Sequence, residues 1–367
     1  MLLREADGMD SPASDLTPDQ VRAAFDGGRD YLAACTGGLY PRDTVVALRA
    51  VLDRAPARGL DMPEVDRTVV ALRADAARVL GVRADDVAIG SQTSVLVSLL
   101  AANLPDGAQV LGVEGDFSSL LLPFAYAGRG IRLRTVPLPR LADEVRPGVG
   151  LVAFSLAQSA TGEVIDADAV AAAARAAGAR TLCDATQAAG WMPVDAARFD
   201  AVVCHAYKWL CSPRGVAFLA LDPAYAARLR PVQANWYAGV EPWRSVYGTD
   251  VAFPASARRF DVSPAWEAVL GAAPALALFA RASLPQLHAY TTGLAAAFRD
   301  GFGLAQPAIP SAMLAWPDPD GADLARLTAA GITASGRAGR ARLAFHVFND
   351  ADDVDRALAA LSGEPGV

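Results

Sequence analysis

Short apolar runs alternate with alanine-rich helical runs along the first two thirds of the chain. Helical patterning is clearest over residues 93–104 and 166–179. The apolar runs predicted to be strands are 85–90, 108–115, 131–138, 148–156, 179–185, 200–207 and 215–222. Strands that alternate with helices in this way form a mostly parallel sheet covered by helices on both faces. The pattern therefore predicts an α/β fold built on a mostly parallel, seven-stranded sheet.

The rest of the chain divides into shorter sections. Residues 223–263 are aromatic and irregular, residues 264–300 have a long helical pattern, and residues 308–363 combine helical and strand patterns. We expect an N-terminal segment over 1–30, a large domain over 31–263, a linking helix over 264–300 and a small α+β C-terminal domain over 301–367. A chain of 367 residues is long enough for such an arrangement.

Charge and composition exclude several classes of protein. A formal net charge of −7 argues against a broad nucleic-acid surface, because phosphate binding requires clustered lysine and arginine. No run reaches the roughly 18 uncharged apolar residues of a membrane span. The start, MLLREADGMDSPASD, lacks the apolar core of a signal peptide, so a cytoplasmic protein is expected. Cys35, Cys183, Cys204 and Cys211 have no CxxC spacing and are predicted to be reduced core thiols, and no metal site is predicted.

Polar residues follow three of the predicted strands at their carboxyl ends. They occupy positions 90–94 after the first strand, 184–187 after the fifth and 205–208 after the sixth. Ligands of such sheets bind at the carboxyl ends of the strands. We therefore expect these three segments to meet in one site.

Lys208 and Asp184 are the most informative residues of these segments. Lys208 has no acidic neighbour in AVVCHAYKWLC, so it either extends its amine to solvent or is a desolvated lysine, a good nucleophile toward aldehydes. Asp184 would most simply cap a helix, but a carboxylate can also keep a pyridine nitrogen protonated. Thr93 and Ser94 would cap a helix or, with Gln92, hold a phosphate at the helix N-terminus. Together these groups match what pyridoxal phosphate (PLP) requires.

Several ordered motifs resemble the class V aminotransferase and cysteine desulfurase group of PLP enzymes. Residues 184–190 have the form D-A-x-Q-A-x-G and are followed by HAYKWL. The segments SLAQSATGEVID, ARRFDVSPAWEAVLG and GRARLAFHVFNDADDVDRALAAL are similar to further motifs of the group. The resemblance covers about residues 30–361. It implies fold type I, with a large PLP-binding domain and a small C-terminal domain.

The resemblance also implies a role in cofactor binding for each matching residue. Lys208 would bond covalently to the cofactor aldehyde and later move protons at the substrate α-carbon. Asp184 would pair with the pyridinium nitrogen, and Gln187 would lie beside the phenolic oxygen. The phosphate would be held by the remaining residues of the match: Gln92 through its backbone, Thr93 and His205.

Further matching residues would serve the substrate and the partner subunit. Arg342 would bind the substrate carboxylate as a bidentate clamp. Ser263 and Trp236 would reach the phosphate of the neighbouring subunit, as the matching positions do in obligate dimers. The resemblance thus predicts a homodimer with shared active sites and an amino-acid-like substrate.

Three departures from the group's pattern narrow the predicted activity. Phe117 stands where the group often has a histidine stacked on the cofactor ring, and a phenyl ring stacks but cannot relay protons. Ser159 stands where many members have asparagine near the phenolic oxygen. No cysteine occurs over 308–340, where desulfurases carry their sulfur acceptor, so a persulfide-forming desulfurase is not expected.

The favoured prediction is a C–S or other β-elimination lyase that works without a catalytic cysteine. Aminotransferase, epimerase, kynureninase-like hydrolase and decarboxylating or oxidative deaminase reactions stay open, because all of them start from the same adduct of amino acid and cofactor. A non-catalytic PLP-binding regulator is a distant alternative. It would need a fused helix-turn-helix, and the first 25 residues are too short and too acidic for one.

Overall fold

The structure, a computed structural model, describes residues 15–362. Its main sheet has seven strands, and each lies within one of the predicted runs. Their bounds are Val87–Gly90 (β1), Gln109–Val113 (β2), Arg132–Val136 (β3), Val149–Ser155 (β4), Arg180–Asp184 (β5), Ala201–His205 (β6) and Ala217–Leu221 (β7). The predicted seven-stranded sheet is therefore confirmed.

The strand order is β1-β7-β6-β5-β4-β2-β3. Strands β2 to β6 run parallel to one another, and β7 runs antiparallel to both β6 and β1. The carboxyl ends of β4, β5 and β6 therefore lie side by side. The register pairs Ser155 with Asp184 and Asp184 with Val203, so β6 extends two residues further, to His205.

The described chain forms α-helices between and after these strands. Their bounds are Pro18–Arg22 (α1), Arg42–Arg58 (α2), Met62–Leu80 (α3), Thr93–Asn103 (α4), Ser118–Ala125 (α5), Ala167–Ala177 (α6), Pro223–Ala226 (α7), Trp266–Ala280 (α8), Leu284–Phe302 (α9), Ala322–Ala329 (α10) and Ala351–Ser362 (α11). Local residues define the ends of α6: the Asp166 carboxylate accepts a hydrogen bond from the backbone N–H of Ala169, and Gly178 closes the helix with φ 69°.

The helical run predicted over 264–300 is divided into α8 and α9. Pro285 occupies the first turn of α9. The first turn of a helix has N–H groups without intrahelical partners, so a proline there costs no hydrogen bond and favours the start of a new helix. The two helices are therefore separated at 281–283.

Strands of the main sheet, apart from the edge strand β3, are buried on both faces. In β1, Val87 and Ile89 belong to one apolar cluster and Ala88 to a second cluster. In β4, Phe154 and Ala153 divide between the same two clusters. Side chains alternate between the faces of a strand, so each face of the sheet contributes to its own layer of core. This two-sided burial explains why the strands are almost continuously apolar in sequence.

A second sheet lies in the C-terminal region. It contains Met313–Pro317 (β8), Ser335–Arg337 (β9) and Arg340–Ala344 (β10), in the antiparallel order β8-β10-β9. Residues 338 and 339 join β9 to β10 as a two-residue turn in which both φ angles are positive, 51° and 70°. The predicted combination of a mostly parallel sheet and a smaller α+β region is thus confirmed.

Residues 31–38 connect the small sheet with the main sheet. Ala33 forms an isolated parallel bridge with Ala344, and the backbone N–H of Gly38 donates to the carbonyl of Tyr207 at 2.9 Å. Tyr31 fixes the end of this segment, because its hydroxyl donates to the carbonyl of Gly37 at 2.6 Å. We call residues 31–38 the N-terminal strap.

Among residues 15–362, no helix is long and apolar enough to cross a membrane. The segment on which the prediction of no signal peptide rests lies largely outside the described residues.

Candidate active site

Lys208 follows the end of β6 and is the only lysine of the chain, the other 32 basic side chains being arginine. It is 4% exposed. Its Nζ lies 5.2 Å from the ring centroid of Phe117 and 5.6 Å from that of Tyr207. Burial lowers the pKa of the amine to about 8, although the Asp184 charge opposes this shift. About a tenth of Lys208 is therefore uncharged at pH 7, far more than for an ordinary lysine, and arginine does not reach this state.

Asp184 ends β5 and is buried. Its Oδ1 accepts a hydrogen bond from the backbone N–H of Thr186 at 2.8 Å. Burial raises the pKa of the carboxyl to about 6, whereas the hydrogen bond to Thr186 and the charge of Lys208 lower it. At neutral pH the carboxylate is thus largely ionised. It lies within range of the Lys208 charge at the same end of the sheet.

Gln187 and Ser159 form a hydrogen-bonded pair beside these two groups. The Nε2 of Gln187 donates to the Oγ of Ser159 and to the carbonyl of Cys35, both at 3.0 Å. Its Oε1 accepts from the Nε1 of Trp209 at 2.8 Å. The side chain is therefore held on both sides, and its orientation is fixed by the loop that carries Lys208.

The predicted phosphate residues lie at the N-terminus of α4 and the end of β6. Gln92 is the exposed N-cap of α4, and Thr93 is its buried first residue. His205 is buried, and its Nε2 has no hydrogen-bond partner among the described residues. Burial lowers the pKa of this imidazole to about 4, so it is neutral. An unpartnered neutral imidazole is available to hydrogen-bond a ligand oxygen.

Arg342 lies in β10 and is 1% exposed. Its Nε donates to the Oγ of Ser335 at 3.1 Å, and its terminal nitrogens donate to the carbonyl of Ser159 and to the Oγ1 of Thr36. Burial lowers the pKa of the guanidinium, and no carboxylate of the described residues offsets this effect. A buried arginine bonded only to neutral acceptors is suited to a carboxylate ligand.

Phe117 lies beside the Lys208 amine and is the N-cap of α5. The neighbouring Asp116 is buried and fixes its backbone, because the carboxylate accepts from the N–H of Phe117 at 2.7 Å. The same carboxylate accepts from the backbone N–H of Ser155 at 2.9 Å and from the Nε2 of Gln158 at 3.2 Å. Asp116 thus links the aromatic ring to the end of β4.

Trp236 and Ser263 are not brought into this cluster. Trp236 lies in the short 3-10 helix Trp236–Ala238 and packs against Tyr237 and Trp243, with ring centroids 5.3 and 5.1 Å apart. Ser263 is exposed in the irregular segment before α8. Their assignment to a neighbouring subunit's site remains a prediction.

Several residues of the site were not identified by sequence analysis. Thr36, Cys35, Ser335 and Asp116 all contact the predicted residues. For Asp116, its position next to Phe117 was an available signal. The strongest overlooked signal was the number of lysines. The chain has arginine at every other basic position and lysine only at position 208, which indicates that this position requires a primary amine.

The described residues fit PLP. The cofactor needs an amine that can lose its proton, a carboxylate for its ring nitrogen and donors for its phosphate. Lys208 and Asp184 meet the first two needs, and the unpartnered Nε2 of His205 with the N-terminus of α4 meets the third. Fold and site together define a PLP-dependent enzyme of fold type I.

The family model for aminotransferase class V matches residues 64–306, so the chain belongs to the class V aminotransferase family. It is 29% identical over 221 residues to isopenicillin N epimerase of Streptomyces clavuligerus, a match that spans 55% of each chain. It is also 24% identical to the uncharacterized aminotransferase YcbU of Bacillus subtilis, over 95% of this chain and 98% of that one. Kynureninase of Deinococcus radiodurans is 30% identical over 46% of this chain and 43% of its own length.

Solved structures share the fold at lower sequence identity. The cysteine desulfurase CsdA of Escherichia coli superposes with a TM-score of 0.81 at 19% identity, over 95% of this chain and 98% of that one. A variant of C-DES with glycine covalently linked to the PLP cofactor gives a TM-score of 0.83 at 18% identity, over 94% and 99% of the two chains. The expected class V fold and the expected PLP dependence are therefore confirmed.

Proposed function

We propose that this class V enzyme is a lyase that eliminates a β-substituent, such as a thiolate, from an α-amino acid. Arg342 would hold the α-carboxylate through its planar fork, with Ser159, Ser335 and Thr36 keeping that fork in place. Lys208 would bond to the cofactor and then act at the substrate α-carbon. Bound PLP would supply an electron sink for the pair left at this carbon.

The observation that carries the proposal is the position of the Lys208 amine, 5.2 Å from the centroid of Phe117. Elimination needs one base: the amine takes the α-proton, the electron pair forms a bond between Cα and Cβ, and the substituent leaves with the electrons of its bond to Cβ. Burial has lowered the pKa of Lys208 to about 8, so the amine can accept this proton at neutral pH. Inversion by two bases would need a second proton carrier, and Phe117 cannot serve as one. The other ring beside the amine is that of Tyr207, and burial raises the pKa of its hydroxyl, which disfavours it as a base.

Burial of the thiols supports elimination over sulfur transfer to the protein. All four cysteines are buried. Burial raises the pKa of Cys183, Cys204 and Cys211, which favours the unreactive protonated thiol. In the proposed reaction the thiolate leaves as a free product, and water converts the remaining three-carbon enamine to pyruvate and ammonia.

Product analysis tests this proposal. Purified holoenzyme is incubated with S-ethyl-L-cysteine, L-cystathionine and 3-chloro-L-alanine, and pyruvate, ammonia and thiol are measured separately. We expect equimolar pyruvate and ammonia from every turned-over substrate, with equimolar thiol from the sulfur compounds. The variants Lys208→Ala and Lys208→Arg should form none of these products. Keto acid without ammonia would indicate transamination, a D-amino acid would indicate epimerisation, and carbon dioxide would indicate decarboxylation; each would contradict the proposal.

The variant Arg342→Lys tests the carboxylate clamp separately. Lysine keeps the positive charge but lacks the planar fork. Substrate binding should weaken by about 1.5–3 kcal/mol, the usual value of a hydrogen bond to a charged group. The visible absorption of the cofactor should stay unchanged. Unaltered apparent affinity and turnover would remove Arg342 from the substrate site.

A further inference from the structure

The β9–β10 hairpin carries unpaired positive charge toward the active site. The register pairs Arg342 with Ser335 and Arg340 with Arg337. Because side chains alternate along a strand, Arg337 shares a face of the hairpin with Ser335. Ser335 accepts a hydrogen bond from Arg342, so this is the face from which Arg342 reaches the N-terminal strap. Arg337 therefore lies on the active-site side, two residues nearer the hairpin tip than Ser335.

The arrangement of Arg337 and Arg340 is unfavourable by itself. Like charges directly opposite each other on an antiparallel ladder repel. Within residues 15–362, neither side chain has an aspartate or glutamate within ion-pair distance. Elsewhere on the surface, Arg134 and Arg140 share the carboxylate of Glu144 at 2.9 and 2.8 Å. An external anion near Arg337 would relieve the repulsion.

Arg214 carries a second unpaired charge and lies beside Tyr207. Its Cζ lies 5.0 Å from the centroid of the Tyr207 ring, and the Lys208 amine lies 5.6 Å from the same centroid. Burial raises the pKa of Tyr207, whereas the charges of Arg214 and Arg337 both lower it. Tyr207 is therefore within the electrostatic range of both arginines. Arg214 is exposed, and no described carboxylate forms an ion pair with it.

Space for a ligand lies next to this tyrosine. A cavity of about 290 Å³ is lined by Gly37, Tyr40, Tyr207, Ser212 and Arg214, among other residues. It lies beside the N-terminal strap, which also contacts Arg342 through Thr36. Gly37, which lines the cavity, directly follows Thr36 in the chain, so the N-terminal strap connects the cavity with Arg342.

From these contacts we infer a second carboxylate subsite, in which Arg214 and Arg337 bind an acid group at the far end of the substrate. The inference rests on the proposed function, in which Arg342 holds the α-carboxylate. The substrate class would be an amino acid whose β-substituent ends in a carboxylate. In a chain with a formal net charge of −7, three arginines without acidic partners around one lysine provide a local positive field that attracts such a diacid.

A binding experiment with unreactive acids tests the subsite without relying on turnover. Straight-chain dicarboxylates from succinate to suberate are titrated into holoenzyme by calorimetry, each compared with the monocarboxylate of the same carbon number. We expect one chain length at which the dicarboxylate binds at least about fivefold more tightly, an advantage that shrinks in 1 M salt because both arginines are solvent-accessible. Arg214→Gln and Arg337→Gln should each reduce this advantage and leave monocarboxylate affinity unchanged. Arg326→Gln, an exposed arginine on α10 with the same change of charge, should alter neither affinity.

The outcomes separate the two proposals. The subsite would be overturned if the dicarboxylate preference survives in both Arg214→Gln and Arg337→Gln, or if no chain length shows a preference. This holds even if pyruvate and thiol are formed. If the dicarboxylate preference is found but no elimination products are formed, the subsite is supported and the lyase proposal is overturned. Weaker cofactor binding in Arg214→Gln would assign that arginine to the cofactor phosphate and overturn its role in the subsite.

Discussion

At the scale of single residues, the site depends on two charged groups whose pKa values are shifted toward each other. Burial raises the pKa of Asp184 to about 6 and lowers that of Lys208 to about 8. The two charges partly offset these shifts, because each favours the ionised form of the other. The amine is thus reactive near neutral pH while the carboxylate remains charged.

We predict that the reactivity of Lys208 follows this balance. In the cofactor-free protein, borohydride trapping of a small aromatic aldehyde should rise with pH and reach its midpoint near pH 8, because only the neutral amine reacts. Asp184→Asn removes a charge that raises the pKa of Lys208, so the midpoint should move to lower pH. Mass spectrometry of the trapped peptide measures both curves. A midpoint near the ordinary lysine pKa of about 10.4 would contradict the prediction.

How far the site could be predicted from sequence depended on whether its residues share a local motif. Lys208, Asp184 and Gln187 were predictable because each follows a strand end that parallel topology brings to the same edge. Thr36 was not, because it lies 306 residues from Arg342 along the chain and no spacing rule connects the two. Ser335 lies only seven residues from Arg342, but its contact depends on the register of the β9–β10 hairpin, which was not predicted. Such contacts are set by the packing of the small sheet against the N-terminal strap.

At the scale of elements, the N-terminal strap positions the loop that carries Lys208. A β-carbon added to Gly38 would collide with the carbonyl oxygen of Lys208 and with the backbone of Cys211. A β-carbon added to the adjacent Gly37 would meet no atom within 4 Å. The close approach of the N-terminal strap to the loop therefore requires glycine at position 38 but not at position 37.

This contrast gives a matched pair of variants. Gly38→Ala should lower the free energy of unfolding by about 1–3 kcal/mol, the usual cost of overpacking, because backbone must move. It should also lower activity, since the displaced carbonyl belongs to Lys208. Gly37→Ala should stay within about 0.5 kcal/mol of the parent protein. Urea denaturation followed by tryptophan fluorescence measures both; equal stability of the two variants would refute the proposed contact.

Most elements could be predicted from sequence because burial on both faces leaves the strands of the main sheet, apart from the edge strand β3, as short apolar runs. The break between α8 and α9 was missed because the apolar pattern is continuous across it. The local signal of the break is Pro285 in the first turn of α9 rather than a change in hydrophobicity.

At the scale of the whole molecule, segment 232–253 exposes apolar side chains. Val232, Val240, Trp243, Tyr247 and Phe253 are between 37% and 90% exposed. Large exposed apolar patches mark interaction surfaces. Together with the predicted roles of Trp236 and Ser263 across a subunit boundary, this surface supports a homodimer, whose obligate interface would bury roughly 2,000 Å² or more.

Subunit mixing tests whether active sites are shared. Lys208→Ala should be inactive by itself, and the double variant Trp236→Ala with Ser263→Ala should be weakened by loss of contacts to its neighbour's phosphate. Refolding the two together should restore activity to about a quarter of the parent level, because half of the dimers are hybrids with one intact site. Mixing Lys208→Ala with Lys208→Arg should restore none. A fully active monomer in sedimentation would exclude shared sites.

Because the chain has a single lysine, its active-site amine can be addressed chemically without a competing lysine. The amine of Lys208 is the only side-chain primary amine of the sequence, and Lys208 is buried. Reagents that acylate amines therefore have no lysine target on the surface. A protease that cleaves after lysine likewise has one peptide bond to cut, the bond between Lys208 and Trp209. That bond lies in a buried loop that is hydrogen-bonded to the N-terminal strap. The rate of that cut would report how often this loop opens, with no dye, tag or isotope added to the chain.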